Sequence, residues 1–164
     1  MVVMGLGRFG GGVGVSRYLA RRGARVLVTD LAPAADLAES MAKLADLPIT
    51  YRLGEHRDAD FAEADLVIVN PAVDRRSNHH LAVATRHGAI LTSEINLFIE
   101  AACTGAGRQR TIGVTGTAGK STTVSMIGHI LGQHCGPDHV HVGGNIGGSL
   151  LDRIDAIGPG DWVV

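Results

Sequence analysis

Short apolar runs alternate with amphipathic stretches along the first ninety residues. The runs have the length of strands, and the stretches between them repeat apolar positions at helical spacing. The predicted strands are Val2–Met4, 25–30, Ile49–Leu53, Leu66–Val69 and 90–91, and the predicted helices are 13–22, 36–45 and 79–87. Because Leu66–Val69 is apolar throughout, it is typical of a strand that is buried on both faces. This alternation predicts βαβ units on a parallel sheet.

A second unit is predicted to begin near residue 93, which gives expected domains of 1–92 and 93–164. Its predicted elements are a helix at 94–102, a strand at 111–115, a long helix to about 134, a strand at 139–142, a turn at 145–148, a short helix at 149–154 and a strand from 162. The residues after 111 are too few for a complete nucleotide-binding sheet. We therefore expect a fragment of a longer protein.

Composition excludes several classes of function. The chain has 164 residues, of which 45% are hydrophobic and 19% charged, so it is able to form a buried core. A net charge of −1 and an aromatic content of 4% argue against nucleic-acid binding. With no apolar run of about 18 residues, membrane insertion is not expected. Arg8 interrupts any apolar leader and there are only two cysteines, so a cytoplasmic location is expected.

Glycines cluster where the first strand meets the first helix. Gly5, Gly7 and Gly10 form a GxGxxG pattern, and Asp30 ends the next strand. Such glycines let the backbone approach a phosphate at a helix N-terminus, and an acidic residue at that later position binds ribose hydroxyls or another ligand group. A tight turn without a ligand is the alternative. Three further glycines, Gly11, Gly12 and Gly14, are expected to lengthen the loop, which argues against a nicotinamide dinucleotide.

A second glycine loop, at 116–122, follows a predicted strand and opens a predicted helix. It consists of Gly116, Thr117, Ala118, Gly119, Lys120, Ser121 and Thr122. Backbone N–H groups in such a loop surround phosphates, Lys120 neutralises charge on the β- and γ-phosphates, and the hydroxyl of Ser121, or alternatively that of Thr122, faces Mg²⁺. The loop departs from the general GxxxxGK[ST] spacing, because its first glycine lies at 116. A turn rich in glycine, serine and threonine is the alternative.

Two further groups of residues carry weaker signals. Asn145, between glycine pairs, offers a donor and an acceptor to a uracil edge, a sugar or a phosphate, but is also typical of a turn. A zinc site is the other possibility considered, but the spacing of the candidate ligands fits no common structural zinc site. Those candidates are His134, Cys135, His139 and His141.

Together these motifs resemble the Mur ligases, the ATP-dependent amide-forming enzymes of peptidoglycan precursor synthesis. The loop beginning at Gly116 has a shape that this family shares with folylpolyglutamate synthetases. The start at Gly5, the Asn70-Pro71 pair, the SEINLF segment at 93–98 and the GGNIG segment at 143–147 resemble the D-glutamate-adding branch. The resemblance covers nearly the whole chain. It implies a Rossmann-like parallel-sheet domain followed by the opening part of a P-loop-type α/β ATPase domain.

The resemblance also implies the ligands and their residues. It implies ATP and Mg²⁺ at 116–122, with Lys120 catalytic and Ser121 on the metal, and it implies UDP-N-acetylmuramoyl-L-alanine and D-glutamate as substrates joined through an acyl phosphate. The residues implied for the UDP-sugar are Gly7, Arg8, Phe9, Asp30, Leu31, Asn70, Pro71, Ala72 and Asn145. The chain departs from the family pattern at Phe9, Asn70, Ala72 and Ala118.

Three alternatives remain open at the level of sequence. A regulatory NAD-binding module and a nicotinamide-dependent oxidoreductase both account for the first glycine loop, but they leave the loop at 116–122 without a role. A ligase resembling folylpolyglutamate synthetase accounts for the second loop, but it gives no reason for the glycine-rich first domain. Titration with NADH and with a UDP-sugar separates the first two from a Mur ligase.

Overall fold

The computed structural model describes residues 1–7, 11–103, 110–144 and 146–164. The chain divides into two units, Met1–Asn96 and Leu97–Val164. The strands of the first unit are β1 (Val2–Met4), β2 (Val26–Asp30), β3 (Ile49–Leu53), β4 (Leu66–Val69) and β5 (Ile90–Thr92). Its helices are α1 (Gly11–Arg21), α2 (Ala34–Ala42), α3 (Asp58–Ala62) and α4 (His79–Arg86), and α5 (Glu94–Cys103) contains the boundary between the units.

The five strands form one parallel sheet in the order β3-β2-β1-β4-β5. Val3 of the central strand pairs with Val28 on one side and with Ile68 on the other. Val3, Val28 and Ile68 are each at most 2% exposed, which agrees with apolar strands covered on both faces. The order reverses direction between β1 and β4, and at such a point the carboxyl ends of the strands leave a crevice for a ligand. The predicted Rossmann-like α/β sheet is confirmed.

Helix α1 packs closely on the end of β1 because Gly12 has no side chain. A Cβ atom on Gly12 would lie 2.2 Å from the carbonyl oxygen of Leu6 and 2.6 Å from that of Gly5. Gly11, Gly12 and Gly14 all lie within the helix. The expectation that they lengthen the first loop was therefore wrong: Gly12 instead permits a close contact between the helix and the loop that follows β1.

Helix α3 was not predicted, since five residues are too few to show a helical period. Its Phe61 is completely buried and belongs to an apolar cluster that also contains Val67, Val69 and Leu81. The ring of Phe61 stacks on that of His80 at a centroid distance of 5.2 Å. The short helix therefore supplies a central residue of the core on that face of the sheet.

Among the described residues of the second unit are helix α6 (Lys120–Cys135), a pair of short parallel strands and a pair of 3₁₀ turns. The strands are β6 (Val140–His141) and β7 (Trp162–Val163), and the 3₁₀ turns are Pro137–His139 and Leu151–Ala156. Helix α6 packs on the segment after β6 at Gly128, where a Cβ atom would lie 2.6 Å from Cγ2 of Val142. The short helix predicted at 149–154 is the second of these 3₁₀ turns.

The strand predicted at 111–115 is not formed as such. Thr111 makes a single parallel bridge with Val163, and the Ile112 amide donates to the carbonyl of Val163 at 2.8 Å. Strand β7 has only two residues, and the amide of Val164 donates back towards β6, to the carbonyl of His141. The pairing of segment 111–115 with β7 is therefore limited to this bridge and this hydrogen bond, which is too short a ladder to make a strand.

Asp161, directly before β7, is hydrogen-bonded to histidines in and next to β6. Its carboxylate accepts hydrogen bonds from Nδ1 of His139, Nε2 of His141 and the amide of Gly158, each at 2.8 Å. These bonds hold the pKa of Asp161 far below its usual value of 3.8, with His141 the largest contributor. Two of the four residues considered as zinc ligands are thus hydrogen-bonded to a buried carboxylate.

Candidate functional site

The first glycine loop leaves β1 at the edge where the sheet order reverses. Gly5 and Gly7 have φ angles of +94° and +67°, which side chains disfavour. A Cβ atom on Gly5 would lie 2.9 Å from Cβ of Asn70, so glycine is also required there for space. The loop therefore passes directly against the end of β4.

Asp30 holds this loop through its side chain. Its Oδ2 atom accepts hydrogen bonds from the amides of Leu6 at 2.9 Å and Gly7 at 3.2 Å. Its Oδ1 atom accepts from the amide of Ala32 at 2.9 Å. Both oxygens of this half-buried carboxylate are thus directed at backbone N–H groups.

Asn70 follows β4 and faces the same loop. Its Oδ1 atom accepts from the amide of Ala72 at 3.0 Å, which fixes the side chain across its own turn. Its Nδ2 atom lies 3.5 Å from the position that a Cβ atom on Gly7 would occupy. The structure therefore brings Gly7, Asp30 and Asn70 together at the carboxyl edge of the sheet.

Of the other residues implied for the UDP-sugar, some are described by the structure and some are not. Leu31 is 67% exposed directly after Asp30, and Pro71 and Ala72 are exposed after Asn70. Arg8, Phe9 and Asn145 lie outside the described residues. An exposed leucine beside a crevice presents apolar surface to whatever occupies it.

Two residues at this edge were missed by sequence reasoning. Ser40 in α2 is buried and donates its hydroxyl to the carbonyl of Gly7 at 3.1 Å. Thr29 in β2 is buried and contacts His56, whose pKa is lowered mainly by burial. A lone serine or threonine among apolar positions carries no sequence signal for such a contact, since it arises only when α2 and β3 pack beside β2.

In the second unit, the loop at 116–122 ends at the start of α6. Gly119 immediately precedes the helix and has a φ of +77°. Lys120 is the first helical residue, and its Nζ atom donates back across the loop to the carbonyl of Gly116. The Lys120 side chain thus crosses the turn for which the sequence predicts phosphate binding. The N-terminus of α6 adds a partial positive charge there.

The hydroxyl-bearing residues after Lys120 are accessible. Ser121 and Thr122 are exposed on the first turn of α6. The hydroxyl of Thr123 donates to the carbonyl of Gly119 at 3.0 Å, so its proton is used in a hydrogen bond at the start of the helix. The hydroxyl oxygen of Ser121 is the type of ligand atom that Mg²⁺ prefers. It follows the loop lysine, where phosphate-binding loops carry a serine or threonine hydroxyl.

The glycine pairs around residue 145 also form a constrained turn. A Cβ atom on Gly147 would lie 2.3 Å from the carbonyl oxygen of Val142, and one on Gly143 would lie 2.3 Å from Cγ of Leu150. The amide of Gly144 donates to the carbonyl of Gly148 at 3.0 Å. These glycines are therefore required by close packing within the second unit.

Across the four described stretches of the chain, no helix is both long enough and apolar enough to cross a membrane. Within those same residues, no three histidine, cysteine, aspartate or glutamate side chains are grouped as metal ligands would be.

Comparison with known proteins finds relatives whose names agree with the matching family model. The family model described as "Mur ligase MurD-like, N-terminal domain" matches residues 1–93. A protein of Roseiflexus sp. (strain RS-1) named UDP-N-acetylmuramoylalanine--D-glutamate ligase is 45% identical over 156 residues, covering 95% of this chain and 32% of that protein. The protein of the same name from Geobacter metallireducens is 42% identical over 94% of this chain and 32% of its own length.

Among solved structures, a murein peptide ligase mpl from Psychrobacter arcticus 273-4 matches with a TM-score of 0.49 and 24% identity, over 87% of this chain and 27% of that one. The chain spans about a third of the length of the curated relatives it matches. Since the family model covers more than half of the chain, and does so over the unit that carries Gly7, Asp30 and Asn70, the chain belongs to the MurD-like Mur ligases.

Proposed function

We propose that this chain is the nucleotide-binding part of a cytoplasmic, ATP-dependent ligase that joins D-glutamate to UDP-N-acetylmuramoyl-L-alanine during peptidoglycan precursor synthesis. The names of the relatives support this substrate pair. The observation that carries the proposal is the loop at 116–122, in which Lys120 reaches across a glycine turn at the N-terminus of a 16-residue helix. An NAD-binding module gives this loop no role.

The proposed reaction has two steps. A carboxylate oxygen of the L-alanine unit attacks the γ-phosphorus of ATP, the bond to the β-phosphate oxygen breaks, and ADP leaves. The amine of D-glutamate then attacks the acyl phosphate carbonyl, inorganic phosphate leaves, and the amine loses a proton. The first step is needed because a free carboxylate is a poor electrophile.

In this scheme Lys120 stabilises the negative charge on the phosphoryl group as it is transferred. The amides at the start of α6 orient the phosphates. The exposed hydroxyl of Ser121 would hold Mg²⁺, which neutralises phosphate charge when bound. Gly116, Thr117, Ala118, Gly119 and Thr122 complete the proposed ATP loop.

The first unit is proposed to bind the UDP-sugar at the carboxyl edge of its sheet. Gly7, Asp30 and Asn70 form the described centre of that site, and Leu31, Pro71 and Ala72 are exposed beside it. Arg8 and Phe9 are proposed to complete it. This placement is supported by the reversal of strand order between β1 and β4, where parallel sheets bind nucleotides. Asn145 of the second unit stays a proposed UDP-sugar residue by family resemblance.

Calorimetric titration of the chain tests the assignment. We expect saturable binding of UDP-N-acetylmuramoyl-L-alanine and of ATP with Mg²⁺, and no binding of NADH at concentrations up to about 1 mM, which corresponds to about −4 kcal/mol. Binding of NADH without a response to the UDP-sugar would overturn the proposal in favour of a dinucleotide-binding module.

A further inference from the structure

Each described amide of the first glycine loop, at residues 5–7, donates a hydrogen bond to a residue of β2. The amide of Gly5 donates to the carbonyl of Thr29 at 2.8 Å. The next two amides, of Leu6 and Gly7, donate to Oδ2 of Asp30. In a dinucleotide-binding turn, backbone of this kind is what approaches the diphosphate. Here a carboxylate from the protein accepts hydrogen bonds from two of these amides.

The carboxylate is held in place from a second direction. Its other oxygen accepts from the amide of Ala32 at 2.9 Å, and the carbonyl of Asp30 accepts from the amide of Gly54 at 2.8 Å. Ser40 of α2 also donates its hydroxyl to the carbonyl of Gly7. Both the loop and its anion are therefore fixed before any ligand arrives.

This arrangement differs from the role first assigned to Asp30. An acidic residue that binds ribose hydroxyls must direct an oxygen away from the protein. Here each oxygen of Asp30 accepts at least one backbone N–H, and a diphosphate approaching the amides of Leu6 and Gly7 would meet a fixed negative charge. Charges of like sign at contact distance repel strongly where solvent is partly excluded.

We infer that the Asp30 carboxylate is the built-in anion of the first glycine loop, so that Asp30 positions the loop and excludes a diphosphate, whether of a dinucleotide or of a UDP-sugar, from the amides of Leu6 and Gly7. This inference rests on the proposed function and deepens it, because it implies that the diphosphate of the UDP-sugar is not bound by these two amides. Asp30 is a positioning residue in this account.

The test follows the amide signals of Leu6 and Gly7 in the ¹⁵N-labelled chain as pyrophosphate is added. Wild type is compared with Asp30→Ser, which removes the carboxylate, and with Asp30→Asn, which removes the charge but keeps an acceptor. Glu39→Gln is the matched control, because Glu39 is an exposed carboxylate in the same unit that pairs with Lys43.

We expect no shift of these two amide signals in wild type or Glu39→Gln at pyrophosphate concentrations up to about 5 mM. In Asp30→Ser the same signals should move, with pyrophosphate binding at least 10-fold tighter than in wild type, and Asp30→Asn should be intermediate. UDP-N-acetylmuramoyl-L-alanine should bind Asp30→Ser about 10-fold more weakly than wild type. These opposite changes distinguish positioning from general loss of structure.

Pyrophosphate that shifts the Leu6 and Gly7 signals of wild type would overturn the inference, whether or not the variants fold. Unresponsive signals in a folded Asp30→Ser or Asp30→Asn chain would also overturn it. If wild type binds no UDP-sugar, the proposed function fails, but the contrast between wild type and variants with pyrophosphate still tests the role of Asp30.

Discussion

Thr29 and His56 share a hydrogen bond of 2.7 Å between Oγ1 and Nδ1, and its direction is fixed by the other contact of the threonine. The hydroxyl of Thr29 donates its one proton to the carbonyl of Glu55 at 3.1 Å. Nδ1 of His56 must therefore be the donor in its bond to Thr29. Neutral His56 consequently carries its proton on Nδ1 and leaves Nε2 unprotonated.

The first prediction concerns the pH dependence of this pair. Burial is the main cause that lowers the pKa of His56 below 6.5, and neighbouring His80 lowers it further, against a smaller opposing effect of Asp30. A histidine with a lowered folded-state pKa stabilises the fold above the unfolded-state pKa, and this contribution is lost as pH falls. We therefore expect the free energy of unfolding of the first unit to fall between pH 7 and pH 5.

Urea unfolding at several pH values checks this expectation. His56→Asn keeps a donor near the position of Nδ1 but does not titrate, so its stability should depend less on pH in that range. His87→Asn, at an exposed position after α4, should retain the wild-type pH dependence. Equal pH dependence in wild type and His56→Asn would contradict the account.

The second prediction concerns Asp161. Replacing it with asparagine removes a charge that accepts three hydrogen bonds, so we expect the second unit to lose about 2–4 kcal/mol of stability at pH 7. Because the folded-state pKa of Asp161 lies below 3.8, the wild-type contribution is complete above that pH and declines as pH falls further.

Denaturation at pH 7 and at pH values below 4 measures both effects. Asp138→Asn provides the matched control, since Asp138 is exposed in the adjacent 3₁₀ turn. We expect it to change stability by less than about 0.5 kcal/mol. A loss of similar size in both variants would mean that the bonds of Asp161 do not stabilise the β6–β7 pair.

The third prediction compares two glycines of the second unit. Gly119→Ala places a side chain at a φ of +77°, which costs about 1–2 kcal/mol and disturbs the start of α6. Gly132→Ala lies inside α6, where its Cβ atom would be 3.7 Å from Pro137, an ordinary contact. That change should stabilise the helix by about 0.5–1 kcal/mol. Urea unfolding followed by circular dichroism should show changes of opposite sign in the free energy of unfolding of the two variants. Changes of equal sign would contradict the assigned backbone geometry.

The fourth prediction concerns the unpredicted helix α3. Phe61 is completely buried, so Phe61→Ala should destabilise the first unit by about 3–5 kcal/mol. Ile90→Thr, at a 66% exposed strand position in the same unit, should cost about 0.5 kcal/mol or less. Thermal unfolding of both variants measures the difference. If Phe61→Ala were as mild as Ile90→Thr, α3 would not contribute to the core.

The parallel sheet could be predicted from the sequence because its strands are buried runs separated by helices of adequate length. Val2–Met4, Ile49–Leu53 and Leu66–Val69 were predicted with the bounds observed. Helix α3 could not be found, since its one buried aromatic residue gives no period. The strand predicted at 111–115 is reduced to one bridge from Thr111 to Val163, because pairing with β7 depends on packing between segments distant in sequence.

The candidate site was only partly predictable. The glycine patterns located both loops, because positive φ angles and close approaches restrict the residue type. The partner of each loop atom depends on packing between elements distant in sequence. Asp30 was identified as a ligand residue from its position, whereas its contacts are with the backbone of Leu6, Gly7 and Ala32. Ser40 gave no signal at all.

The most direct test of the central claim is the affinity of the chain for ATP with Mg²⁺, measured by calorimetry in wild type, Lys120→Ala and Lys43→Ala. These are the two lysines of the chain, and Lys43 is an exposed partner of Glu39. We expect Lys120→Ala to weaken ATP binding at least about 10-fold, or about 1.4 kcal/mol, and to leave UDP-sugar binding unchanged, while Lys43→Ala matches wild type. Wild-type ATP affinity in Lys120→Ala, or no ATP binding by wild type, would contradict the account.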